Sequence, residues 1–168
     1  ENISTVKSSV DILNEIGFNI SLRHFDLGVH NLKKNTGFIG RWDIVSNNPL
    51  IILDIAHNEC AIDLVMSQLS KIKKRKHIIL GFSSDKDLNT IFKKITLNAT
   101  YYFCASNHNR VLSPEKYIKK IKSLNCNYKI HNTALDAFNC IKPILGENDM
   151  VFVTGSAFIV SDVAVNFR

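Results

Sequence analysis

No apolar run in this chain approaches the roughly 18 residues needed to cross a bilayer, so no transmembrane helix is expected. The opening residues, Glu1, Asn2, Ile3 and Ser4, lack a basic stretch followed by an apolar one, and no signal peptide is expected. There is no initiator Met, so the chain is expected to start inside a longer protein or to have been processed. Cysteine is scarce. The four, at 60, 104, 126 and 140, include no C-x2-C pair, which argues against zinc, and they are too few for a secreted disulfide scaffold. They are expected to be small buried hydrophobes in a reducing cytoplasm. Three catalytic signatures are also missing: G-x-G-x-x-G after a strand, G-x-x-x-x-G-K-[ST], and G-x-S-x-G. Their absence disfavours a dinucleotide dehydrogenase, a self-contained P-loop ATPase and an acyl-enzyme hydrolase.

What is present is globular. Apolar residues make up 45% of the 168 and charged residues 21%, enough for the core of one ordinary domain, with or without a short extra segment. The net charge of +6 suggests nucleic acid at first sight. However, Lys, Asn and Ile together account for 55 residues, all encoded by AT-rich codons, and codon bias produces that count without an anionic partner. The densest basic run, 71–76, falls between a helix pattern and a strand pattern and reads as a solvated loop. No basic–aromatic interleaving is visible, so no nucleic-acid partner is expected.

Apolar residues at 3, 6, 10, 13 and 16 form one stripe of an amphipathic helix stopped by Gly17, and 18–39 reads as irregular, with Gly28, Asn31, Asn35 and Gly37. Residues 1–38 are therefore expected to be a helix plus a connecting segment. From there the rhythm alternates. Strands are expected at 42–46, 50–53, 77–80, 100–104, 128–130 and 150–153. Helices are expected at 58–69, 88–95, 114–124 (Ser113 as N-cap, Pro114 at N1), 134–145 and 157–167. Such alternation implies βαβ crossovers and a mainly parallel sheet covered on both faces: an α/β, Rossmann-like, three-layer αβα domain over 39–168.

The polar motifs lie where such sheets hold ligands, beside the carboxyl ends of strands. Asp54-Ile55-Ala56-His57-Asn58 follows the apolar Leu50-Ile51-Ile52-Leu53 and opens a helix. Asp54 can accept from a ribose or an adenine amine, and His57 can donate to a phosphoryl oxygen. The bland alternative is that Asp54 or Asn58 only caps the helix. Gly40-Arg41-Trp42 offers an arginine suited to phosphates or purine planes, against a surface arginine beside a core tryptophan. In Gly81-Phe82-Ser83-Ser84-Asp85-Lys86-Asp87, Lys86 can neutralise an anion while Asp85 and Asp87 hold it, or Asp87 is merely an N-cap. Arg110, in Ser106-Asn107-His108-Asn109-Arg110, can grip a carboxylate bidentately or sit in a polar surface loop. Ser156, in Thr154-Gly155-Ser156, contacts a ligand or caps the last helix.

In this order the motifs resemble the C-terminal domain of the folylpolyglutamate synthase/dihydrofolate synthase family, within the Mur ligase superfamily. The resemblance runs over essentially the whole chain, with 1–38 similar to the tail of the preceding central ATPase domain. It implies an ATP-dependent carboxylate–amine ligase that uses ATP and Mg²⁺. The metal ligands and a Gly-Lys phosphate loop would lie in an N-terminal ATPase domain of the same protein. The γ-phosphate would pass to a carboxylate of dihydropteroate or a folate polyglutamate, and the amine of L-glutamate would attack the resulting acyl phosphate. Carried onto this chain, Asn2, Arg41 and Asp54 would contact ATP, His57 would lie near the phosphates as the catalytic residue, and Lys86, Arg110 and Ser156 would serve the substrate. Phe158 stands where many relatives have tyrosine, so a hydroxyl is missing there. The resemblance further implies a cytoplasmic protein and no activity for this stretch alone. Judged by its residues alone, a free-standing Rossmann-like module that binds a nucleotide or an acidic metabolite without chemistry remains the alternative.

Overall fold

The computed structural model describes residues 2–95, 97–106 and 108–167, apart from the side chain of Asn2. The base contact expected of Asn2, and the contribution of Asn107 to its loop, therefore lie outside the described residues. Two units divide at Phe38, residues 1–38 and 39–168.

In the first unit, α1 (Asn2–Glu15) carries the expected stripe and ends at Gly17. The irregular stretch expected next is instead two further helices, α2 (Leu22–His30) and α3 (Leu32–Thr36). Leu22, Phe25, Val29 and Leu32 repeat at helical spacing, and Ser21 starts the turn by accepting from the His24 amide at 3.2 Å. Gly28 lies inside α2 and costs only about 1 kcal/mol relative to alanine, too little to break a capped helix. Ile3, Val6 and Val10 of α1 and Phe25 and Val29 of α2 line an apolar groove of about 400 Å³, and α2 and α3 bury no residue.

The second unit is a six-stranded sheet in the order β1-β2-β6-β3-β4-β5. Its strands are β1 (Asp43–Asn47), β2 (Leu50–Leu53), β3 (Arg75–Leu80), β4 (Thr100–Cys104), β5 (Asn127–His131) and β6 (Asp149–Thr154). Only β1 runs antiparallel to its neighbour. Strand β3 starts two residues earlier than the apolar pattern implied. Arg75 and Lys76, expected in a solvated loop, belong to the ladder because Arg75 reaches Asp149 with a fork of 2.5 and 2.8 Å.

Alternation along the strands sorts the core into two layers. Ile52, Ile78, Leu80, Tyr101, Phe103 and Phe152 face α4 (Glu59–Ser70), α5 (Leu88–Phe92) and α6 (Ile118–Ser123). Leu53, Ile79, Tyr102, Val151 and Val153 face α7 (Ala134–Ile141) and α8 (Ala157–Ala164). Strands buried on both faces must be apolar throughout, which accounts for the unbroken Leu50–Leu53 and Met150-Val151-Phe152-Val153 runs. The long expected helices at 114–124, 134–145 and 157–167 each contain a tighter 3₁₀ turn at one end. Ser113 makes no side-chain cap. All four cysteines are free, but only Cys104 is buried; Cys60 and Cys140 are exposed, contrary to their expected place in the core. Among the described residues no helix is long and apolar enough to cross a membrane.

Candidate functional site

Strands β3 and β6 are parallel neighbours whose connections diverge. After β3 the chain crosses to α5 on one face; after β6 it crosses to α8 on the other. Divergent loops leave a crevice at the carboxyl ends of the strands. The crevice here is a cleft of about 440 Å³, whose walls include His57, Ser83, Lys86, Arg110, Ser156 and Phe158.

Its floor depends on a close approach of strand-end backbones. Gly155, at φ +100°, donates its amide to the Ala56 carbonyl at 2.9 Å, and Thr154 Oγ1 donates to the same oxygen at 3.1 Å. A Cβ added at 155 would run into the Gly81 carbonyl, so the position requires glycine on grounds of both space and backbone angle.

Each side chain in the cleft is set locally. Asn58 caps α4 by accepting from the Ala61 amide at 2.9 Å, which leaves His57 on the wall. His57 Nδ1 lies 2.8 Å from the Ile55 carbonyl oxygen. A carbonyl only accepts, so Nδ1 carries the proton, and Nε2 of the neutral ring is left as an acceptor. Lys86 pairs with Asp85 at 2.6 Å, and this bond to Lys86 is the main cause holding the Asp85 carboxyl below its ordinary range. Asp87 does not share that task; it caps α5 by accepting from the Asn89 amide at 2.8 Å. Ser156 is buried and caps α8, its Oγ accepting from the Phe158 amide at 3.1 Å and from Ser83 Oγ at 3.4 Å. The proton of Ser156 Oγ is therefore the valence left for a ligand. Arg110 is exposed, and its guanidinium has no ion-pair partner among the described residues.

Of the residues singled out in the sequence, His57, Lys86, Arg110 and Ser156 line this one cleft. Arg41 and Asp54 do not. They lie beside it at the carboxyl end of β2, where Ile55 N donates to the Gly40 carbonyl at 2.9 Å. Asp54 is buried, its Oδ2 accepting from the Trp42 amide at 2.7 Å and its Oδ1 from the Ala56 amide at 2.8 Å. The turn it holds is unusual. Gly40 has φ +115° and Trp42 has φ +50°, a left-handed angle rare for a bulky residue, while Asp43 Oδ2 accepts from both the Gly40 and Arg41 amides. Arg41 is thus displayed, exposed, on a turn tied down from both sides.

Sequence reasoning assigned no role to Ser83 or His108. Ser83 bonds Ser156, and the His108 ring stacks on Phe158. The serine pair in the Gly81 loop was a usable signal for the first; nothing in the linear order signals the second.

Residues 40–157 match the family model described as Mur ligase, glutamate ligase domain. The chain belongs to that family. A curated relative from Buchnera aphidicola subsp. Schizaphis graminum (strain Sg), a dihydrofolate synthase/folylpolyglutamate synthase, is 30% identical over 140 residues, covering 79% of this chain and 33% of the relative. The crystal structure of the bifunctional folylpolyglutamate synthase/dihydrofolate synthase from Yersinia pestis c092, complexed with AMPPNP and Mn ion, is similar in fold. Its TM-score is 0.71 at 22% identity, over 94% of this chain and 37% of that one. A bifunctional synthase structure with Mn, AMPPNP and L-glutamate bound gives the same TM-score, 0.71, at 21% identity and the same coverage, 94% and 37%. This Mur ligase C-terminal-type domain spans about a third of the length of the curated relatives it matches.

Proposed function

We propose that this chain is the closing, C-terminal domain of an ATP-dependent ligase of the folylpolyglutamate/dihydrofolate synthase kind. Such an enzyme joins a carboxylate of a dihydropteroate or folate to the amine of L-glutamate through an acyl phosphate. The observation that carries this reading is the cleft itself, where His57, Lys86, Arg110 and Ser156 converge from four separate strand-end loops. On this reading 1–38 is the tail of the N-terminal ATPase domain, whose remaining surface covers the apolar groove between α1 and α2.

The roles follow from the local chemistry. Arg41, exposed on its tied turn, meets ATP held by the ATPase domain, with Asn2 at the base. Asp54 acts for ATP at one remove, by fixing that turn through the Trp42 amide. Arg110 receives a carboxylate of L-glutamate and Ser156 donates its remaining proton to the same group. Lys86 adds a positive charge already half-neutralised by Asp85. His57 offers Nε2, which takes a proton from the incoming ammonium when neutral and donates to a phosphoryl oxygen only as the imidazolium. Closure of the two domains excludes water from the acyl phosphate. Among the described residues no three His, Cys, Asp or Glu side chains gather into a metal site, and on this reading the Mg²⁺ ligands lie in the ATPase domain.

The test is phosphate release by the full-length polypeptide containing this chain, with ATP, L-glutamate and either dihydropteroate or tetrahydrofolate. Glutamate-dependent release with at least one acceptor is expected, and no turnover by the 168-residue chain alone. Absence of release with both acceptors overturns the reading.

A further inference from the structure

The loop that follows β4 is held to the rest of the domain at two places. On one side, Ser83 and Val111 form an antiparallel bridge, the Ser84 amide donates to the Arg110 carbonyl at 2.8 Å, and the Leu112 amide donates to the Phe82 carbonyl at 2.8 Å. On the other side, the His108 ring lies flat on Phe158, with centroids 3.7 Å apart and planes 19° from parallel. Every other ring contact in the described chain is at 5.6 Å or more, so this is the one close face-to-face pair. It joins the β4 loop to the first turn of α8, at Phe158 of the cleft wall.

Arg110 sits between these two tethers. Its carbonyl is fixed by Ser84, and its own amide donates to His108 Nδ1 at 3.3 Å. The arginine's backbone is thereby clamped at both ends while its side chain, which lines the cleft, stays exposed and without an internal counter-ion among the described residues. His108 itself is exposed, and the core of the domain does not include it. The ring closes no core, so the domain stays folded without it. What it does fix is where the Arg110 backbone lies relative to Ser156 and Phe158.

We infer that the His108–Phe158 stack aims Arg110 into the cleft, which makes His108 a positioning residue for the anion that Arg110 binds. That anion is a carboxylate of the amine donor, an assignment that rests on the ligase reading above. Pre-setting a flexible arginine removes part of the ordering cost of binding. The ordering cost of one such side chain corresponds to an effect of about two- to tenfold in affinity.

The experiment is a titration of the 168-residue chain with L-glutamate, followed in NMR by the backbone amide resonances of Ser83, Lys86 and Ser156 in every variant and by the Arg110 Nε–Hε resonance where Arg110 is present. It compares the parent with H108A, H108F and R110A, with thermal melting recorded for each. H108A is expected to weaken binding by about two- to tenfold while the domain stays folded, its melting temperature falling by no more than roughly 6 °C. H108F, which can stack but cannot accept from the Arg110 amide, is expected to restore affinity to within about twofold of the parent. In the R110A background H108A is expected to have no further effect. Unchanged affinity in H108A, or H108F behaving like H108A, overturns the proposal. If L-glutamate shifts no cleft resonance even in the parent, the ligase reading loses its amine-donor site. The positioning claim is then decided by Arg110 side-chain order without ligand: lowered in H108A and restored in H108F if it holds, equal in all three if it fails.

Discussion

Asp54 holds the Trp42 amide at 2.7 Å across twelve residues of sequence, so the acid at the end of β2 is committed to the turn that displays Arg41. Replacing it with alanine strands the Trp42 and Ala56 amides at a buried site. A cost of about 2–4 kcal/mol is expected in urea unfolding, from two donors losing a charged acceptor. D54N, which keeps one carbonyl oxygen, should fall between. A D54A chain as stable as the parent would show that the acid is not structural.

If the ligase reading holds, R110A in the full-length polypeptide should raise the KM for L-glutamate by about tenfold or more while leaving the melting temperature within roughly 1 °C, because the side chain is exposed and has no ion-pair partner among the described residues. K86A should have a smaller effect, since Asp85 already offsets Lys86. Steady-state kinetics with varied glutamate separates the two. Equal effects would remove the distinction between a free and a paired cation.

G155A should destabilise the second unit by roughly 2–3 kcal/mol through its left-handed angle and its clash with the Gly81 carbonyl. G146A, at a glycine outside the left-handed region where an added Cβ meets only an ordinary contact, 3.6 Å from Asp149 Oδ2, is the control and should unfold near the parent's midpoint. Denaturant midpoints for the two variants decide this.

Where a residue's surroundings come from its own element or a sequence neighbour, the sequence was legible. The apolar runs of β2, β4 and β6 and the caps at Asn58 and Asp87 depend only on local period and hydrogen-bonding habit. The cleft was legible as a set of strand-end polar residues because every parallel strand delivers its following loop to one edge. Three features were not. Helix α2 was hidden by Gly28 and Asn31, whose local preference is outweighed by an apolar stripe and a Ser21 cap. Burial of Asp54 depends on Gly40 and Trp42 adopting left-handed angles, which no spacing announces. The His108–Phe158 stack joins residues fifty positions apart through a loop path that only the folded sheet defines.

Asp149 is buried at the start of the central strand, and its carboxyl is held down at about 2, chiefly by its hydrogen bonds to Arg75. A depressed acid stabilises the fold above its ordinary value and loses that contribution as pH falls toward the folded value. Stability should therefore drop between pH 3.8 and about 2, and D149N should flatten that limb of a plot of denaturant midpoint against pH. An unchanged acid limb in D149N would assign the loss to other groups.

His77 has the opposite chemistry but the same direction with pH. Burial pushes its imidazole below the ordinary 6.5, against the pull of Asp149, and Nδ1 lies 3.0 Å from the Tyr102 hydroxyl. The unfolded chain then binds the proton more readily than the folded one, so stability is full above 6.5 and declines as pH falls below it. His131 is lowered by burial as well and adds to the slope. H77L should make the midpoint less pH-dependent between pH 7.5 and 5.5, even if its absolute stability is lower; an unchanged slope would exclude His77 as the source.

The strand made last, β6, lies in the middle of the sheet, hydrogen-bonded to β2 on one side and β3 on the other. Until residues 149–154 have left the ribosome, the two halves of the sheet have nothing to join them. A nascent or prematurely stopped chain lacking that stretch would keep two open, strongly apolar edges in place of a centre. A frameshift just ahead of residue 149 should therefore abolish the whole domain, whereas trimming the three helices that precede β1 should not.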